Sequence, residues 1–120
     1  MTLDEIRQVA DAFKQFEVDG VIATNTTVSR EGVEGYPYAN EMGGLSGAPL
    51  THMSTDVIKT LYSELGDDIP IIGVGGIIDG SSAIDKIEAG AKLVQIYSGF
   101  IYHGPALIRE AAEAIASVRR

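Results

Sequence analysis

Three short stretches carry residues that suit ligand chemistry. Gly75-Gly76 follows the apolar run IIGV. Free backbone N–H groups at a glycine turn or at a helix N-terminus bind phosphate. The same residues also suit a plain tight turn between a strand and a helix. The stretch GVGGIIDG lacks the dinucleotide-binding spacing, and no Gly-Lys-Ser/Thr follows to make a P-loop. Tyr97-Ser98-Gly99 ends the next apolar run, Leu93 to Tyr97, and offers a hydroxyl and further N–H groups. The alternative there is a core tyrosine followed by a capping serine. Thr24-Asn25-Thr26-Thr27 follows Val21-Ile22-Ala23. Its amide and hydroxyls suit a flat ligand with carbonyl, amide or carboxylate edges, or else a local Asx-turn. Gly43-Gly44-Leu45-Ser46-Gly47 suits backbone laid against a flat ligand, or a flexible loop.

No proton-transfer group accompanies them. His52 and His103 have no ligand-like neighbours in sequence, and no Ser-His-Asp arrangement can be assembled. Asp67-Asp68 and Glu110/Glu113 read as solvated surface. With no cysteine, a disulfide or thiolate metal site is excluded, and two histidines leave little for zinc. A formal net charge of -8 argues against nucleic acid, which needs a positive footprint. No apolar run approaches a membrane span, and MTLDEIRQVADAF does not read as a signal peptide.

The elements that must position these stretches alternate. Leu3, Ile6, Val9, Ala10 and Phe13 predict an amphipathic helix capped by Thr2 or Asp4. Val21 to Ala23 predicts a short buried strand. Residues 28–49 have no clear period, and Leu45 is expected in a short strand or hairpin there. A loop of that length in a compact domain asks for a functional reason. Val57, Ile58, Leu61 and Leu65 predict a second helix, starting at Pro49 or after Ser54. Ile71 to Val74, a helix capped by Asp79 or Ser81 and closed by Gly90, and Leu93 to Tyr97 follow. Pro105 opens a last helix. The order α, β, α, β, α, β, α predicts βα units and a parallel sheet. The continuous apolar runs predict strands covered on both faces. A complete eight-stranded barrel needs about 250 residues, so the chain is either a small open α/β fold or part of a barrel. Its start at a helix suggests a piece of something longer, with unpaired strand edges.

The chain resembles the C-terminal part of class 2, quinone-dependent dihydroorotate dehydrogenases. DGVIATNTT at 19–27, GGLSGAPL at 43–50, PIIGVGGI at 70–77 and AGAKLVQIYSGFIYHGPALI at 89–108 carry the resemblance. IGVGG alone is weak, since other phosphate-binding barrels share it. The combination favours class 2 over the cytosolic class 1. The resemblance implies strands six to eight of an FMN-bearing (β/α)8 barrel, with 1–120 a partial FMN-binding domain and 28–49 a loop on its active-site side. It implies oxidation of dihydroorotate to orotate in pyrimidine synthesis, with electrons passed to a membrane quinone. Thr24, Gly47, Gly76, Tyr97 and Ser98 are the implied FMN contacts, and Asn25 and Thr26 the implied orotate contacts. The family's serine base, its substrate lysine and its quinone-receiving helices belong to regions with no counterpart here. The parent enzyme is expected at the inner membrane, on the cytoplasmic side in bacteria, and this chain alone is expected to be soluble and inactive. Two alternatives stand beside this reading: a silent half-barrel that self-associates through open sheet edges, and a piece of another phosphate-binding barrel.

Overall fold

A computed structural model describes residues 1–119. Helix α1 (Leu3–Gln15) starts where Thr2 accepts a hydrogen bond from the Glu5 N–H, so Thr2 is the cap rather than Asp4. Strand β1 (Val21–Ala23) follows. A 3₁₀ turn (Ala48–Leu50) runs directly into helix α2 (Thr51–Leu65). The second helix therefore begins just after Pro49, and Ser54 lies inside it. Strand β2 (Ile71–Val74) leads to helix α3 (Gly80–Ala89), where Asp79 and Ser82 form a reciprocal capping box. Strand β3 (Leu93–Gln95), helix α4 (Ser98–His103) and helix α5 (Pro105–Val118) complete the order.

Two expectations fail after β3. The strand stops at Gln95 instead of Tyr97, and Ser98-Gly99 opens an additional helix that contains His103. The apolar run Leu93 to Tyr97 hid this break, because periodicity does not distinguish a strand from its exit into a helix when both are apolar. The 28–49 segment is not structureless: Thr27 and Leu45 form an antiparallel bridge across it.

The sheet is parallel in the order β1-β2-β3, with Val21 opposite Ile71 and Ile72 opposite Leu93. Successive strand residues point to opposite faces. Val21, Ala23 and Ile71 are buried in one core with Ile6, Ala10, Ile58, Leu61 and Leu65 of α1 and α2. A smaller cluster joins Ile77, Ala83 and Ala111 beneath α5. The other face is open among the described residues: Ile22 is 62% exposed and its same-face neighbour Leu93 59%. The expectation of strands covered on both faces thus fails for this chain. The apolar residues that would fill a barrel interior are present, but among the described residues Ile22 and Leu93 stay largely uncovered.

Candidate functional site

Parallel pairing brings the three strand ends to one side of the sheet. There Thr24, Gly75-Gly76 and Tyr97-Ser98 line one cleft of about 550 Å³. The 28–49 loop folds back to complete it. The Thr27 N–H donates to the Leu45 carbonyl at 3.0 Å, and the Leu45 N–H donates to the Thr27 carbonyl at 2.7 Å. Arg30 ties the loop further, donating from Nη2 to the carbonyls of Glu41 (2.8 Å) and Gly43 (2.7 Å). The Ser98 hydroxyl donates to the Ser46 hydroxyl at 2.7 Å, which docks the loop against the end of β3. The cleft therefore gathers Thr24, Asn25, Thr26, Gly47, Gly76, Tyr97 and Ser98, the seven residues singled out from sequence. Tyr97 is 73% exposed, so it is not the core aromatic its apolar run allowed.

The glycine turn is held from behind. The buried Ser54 hydroxyl donates to the Val74 carbonyl, and the Thr51 hydroxyl donates to the Gly76 carbonyl, each at 2.6 Å. Gly76 has φ +70, in the left-handed region that favours glycine. The N–H groups of Gly76 and Ile77 meet no protein acceptor among the described residues. Gly75 and Gly76 are buried but line the cleft, and a backbone donor without an acceptor on a cleft wall is available to an anion. No acidic, basic or histidine side chain lines the cleft. Any negative charge bound here is met by oriented peptide dipoles and hydroxyls.

The end of β1 supplies a polar edge. The Thr24 hydroxyl oxygen is shielded from solvent yet has no hydrogen-bond partner. A buried unpaired hydroxyl costs about 1–3 kcal/mol unless a ligand satisfies it. The Asn25 carboxamide oxygen accepts from the adjacent Thr26 N–H at 2.8 Å, while the Thr27 N–H that an Asx-turn would use goes to the Leu45 carbonyl, so the contact is local but is not that turn. It uses the oxygen and leaves the Asn25 amide hydrogens for another partner.

His52 and His103 do not line the cleft, and among the described residues no group of three or more His, Asp or Glu side chains gathers to hold a metal. Asp67, read as solvated surface, pairs with Lys92 at 2.9 Å and accepts from the Tyr62 hydroxyl at 2.9 Å. Lys92 holds the Asp67 carboxyl below its ordinary range, and the pair braces the end of α2 against the start of β3. Sequence reasoning marked Ser46 only as part of the glycine loop and missed Thr51, Ser54 and Lys86. Thr51 and Ser54 were visible only as helix residues, because their partners lie at least 20 positions away. Gln95, which also lines the cleft, was findable: it shares a strand face with Leu93 and Tyr97 by period two.

An open parallel sheet of βα units, with an uncharged, glycine-walled cleft at the C-terminal ends of its strands, defines an α/β unit consistent with part of a β/α barrel. Comparison with known proteins narrows the class. The dihydroorotate dehydrogenase family profile matches residues 1–118, and the chain belongs to that family. A dihydroorotate dehydrogenase (quinone) of Marinobacter nauticus is 66% identical over 110 residues, covering 92% of this chain and 32% of the relative. That of Ectopseudomonas mendocina is 59% identical over 120 residues, covering 100% of this chain and 35% of the relative. The crystal structure of DHODH from Eimeria tenella in complex with ferulenol superposes with a TM-score of 0.91 at 36% identity, over 98% of this chain and 31% of that one. The chain thus spans about a third of the length of these relatives.

Proposed function

We propose that this chain is the C-terminal portion of a quinone-dependent dihydroorotate dehydrogenase, and that it holds the phosphate and one edge of FMN together with part of the orotate site. The residues fit that cofactor. The N–H groups at Gly76 and Ile77 and the Tyr97-Ser98 backbone suit the phosphate. The unpartnered Thr24 hydroxyl and the Gly47 backbone suit the flavin edge. The Asn25 amide and the exposed Thr26 hydroxyl suit the polar rim of orotate. When bound, FMN supplies the electron acceptance that oxidises dihydroorotate to orotate and passes electrons on to quinone. The chain's own part is to bind, orient and hold apart these groups. Quinone contact and association with a membrane surface belong, in this reading, to the longer protein. Among the described residues no helix is long and apolar enough to cross a membrane.

The observation that carries the proposal is the unbonded Gly76 N–H, on a turn lining the same cleft as a buried, unpartnered hydroxyl. Flavin fluorescence titration tests it, with riboflavin as the ligand lacking the phosphate. Hydrogen bonds to a charged group are each worth about 1.5–3 kcal/mol, so FMN is expected to bind at least about tenfold tighter than riboflavin. Equal affinities would remove the phosphate assignment.

A second reading has its own support. β1 and β3 each pair on one side only, and the open sheet face exposes Ile22 and Leu93. Unpaired edges beside an apolar face favour self-association. Sedimentation equilibrium without flavin is expected to show a dimer or larger species that dissociates on Ile22→Asp. A monomer at micromolar concentration would set this reading aside.

A further inference from the structure

Lys86 is the largest fully buried side chain among the described residues, and the cleft does not use it. It lies on α3, but its ammonium reaches α2. Nζ donates to the Thr51 carbonyl at 2.8 Å and to the Thr55 hydroxyl at 2.6 Å. Among the described residues no carboxylate pairs with it directly. Burying an unpaired cation is costly, so a neutral residue would serve better if the site were only packing. The bonded groups suggest what the charge does. Thr51 is the residue on which the glycine turn rests: its hydroxyl donates to the Gly76 carbonyl, and a Cβ on Gly76 would fall on the Thr51 hydroxyl and backbone. Lys86 thus fixes the first residue of α2, and that residue fixes the turn.

We propose that Lys86 is a positioning residue for the anion site: its ammonium, acting through Thr51, holds the Gly75-Gly76 turn in the geometry that presents N–H groups to a phosphate. The inference rests on the phosphate role proposed above for that turn. Burial draws the Lys86 pKa down to about 8. Asp85 on its own helix and Asp56 on α2 oppose that shift, while β2, which also packs against it, carries no charge. Glu110 of α5 meets α3 at its far end, near Gly80. The ammonium therefore becomes a neutral amine in mildly alkaline solution, and its hydrogen bonds lose their charge assistance.

The test measures FMN and riboflavin affinity across pH for the wild-type chain, Lys86→Met and Thr51→Val, with circular dichroism to follow folding. A phosphate monoester has its second pKa near 6, so the ligand stays a dianion throughout the window. The wild-type preference for FMN over riboflavin is expected to fall about fivefold to tenfold between about pH 7 and about pH 9.5. Lys86→Met and Thr51→Val are each expected to show the reduced preference at every pH, because the first removes the titrating ammonium and the second the hydroxyl that passes its hold to the turn. A flat wild-type profile in a folded protein overturns the inference. Amide NMR shifts of Gly76 and Ile77 decide the matter separately, even if the wild-type chain binds no FMN or Lys86→Met fails to fold. In unliganded wild type they are expected to titrate with a midpoint near the lowered Lys86 value. Amides at the turn that ignore pH there refute the role of Lys86 whether or not FMN binds. Loss of FMN binding alone counts against the phosphate reading.

Discussion

Gly76→Ala is expected to reduce FMN affinity by about 100-fold or more and to destabilise the fold by about 2–4 kcal/mol. Two penalties combine. A residue with a Cβ pays about 1–2 kcal/mol to hold the left-handed conformation that Gly76 has at φ +70. The new Cβ also falls on the Thr51 hydroxyl, N and Cα. Thr51 cannot withdraw cheaply. Its hydroxyl is bonded to the Gly76 carbonyl, its own carbonyl to Lys86, and it opens a helix packed into the core. The turn must move instead, and it carries the N–H groups assigned to the phosphate. Gly35→Ala is the control: Gly35 has a similar φ of +82 but nothing within 4 Å of the added carbon, and it lies away from the cleft. It is expected to cost only the conformational term and to leave FMN affinity unchanged. Denaturant unfolding and flavin titration of the two variants check this. Equal behaviour would show that the turn's close approach to Thr51 has no bearing on binding.

That contrast also marks what a sequence can carry. The strand-turn-helix order around Gly75-Gly76 was legible because strand runs, capping residues and closing glycines are local signals. Asp79 and Gly90 sit where a helix needs a cap and a stop, and α3 runs between them. The cleft was legible for a topological reason: parallel pairing forces successive strand ends to one side, so Asn25, Gly76 and Ser98 had to converge. What lay beyond reach was the support behind the turn. Lys86 in a helix reads as a surface residue, since lysines are rarely fully buried. Only the packing of α3 on α2 reveals its acceptors, 35 and 31 positions away. The open sheet face was misread for a related reason. Continuous apolar strands record that both faces are apolar, not that both are covered by the same chain. Ile22 and Leu93 are apolar residues with no cover in this chain.

Saturated with FMN, the isolated chain is expected to oxidise dihydroorotate at least about 10²–10⁴-fold more slowly than a complete enzyme. Removing hydrogen from a saturated C–C bond of dihydroorotate needs a group to take a proton as well as an acceptor for the electrons. A positioned general base contributes about 10²–10⁴-fold to such a step. The cleft offers hydroxyls, the amides of Asn25 and Gln95, and backbone groups, but no carboxylate, imidazole or amine. Asp79, the carboxylate nearest the glycine turn in sequence, is committed to the α3 cap, where its bonds to Ser82 hold its pKa down and make it a poor proton acceptor. Lys86 lies behind the turn with its ammonium bonded to Thr51 and Thr55, outside the cleft lining. Binding and orientation can therefore persist while turnover does not. Quinone reduction driven by dihydroorotate, measured beside FMN affinity on the same preparation, separates the two. Tight FMN binding with background turnover is the expected pair of results. Turnover at a rate typical of a complete enzyme would mean that one of the cleft's hydroxyls, Thr24, Thr26, Ser46, Tyr97 or Ser98, takes the proton, and would give that residue a catalytic role beyond binding or loop docking.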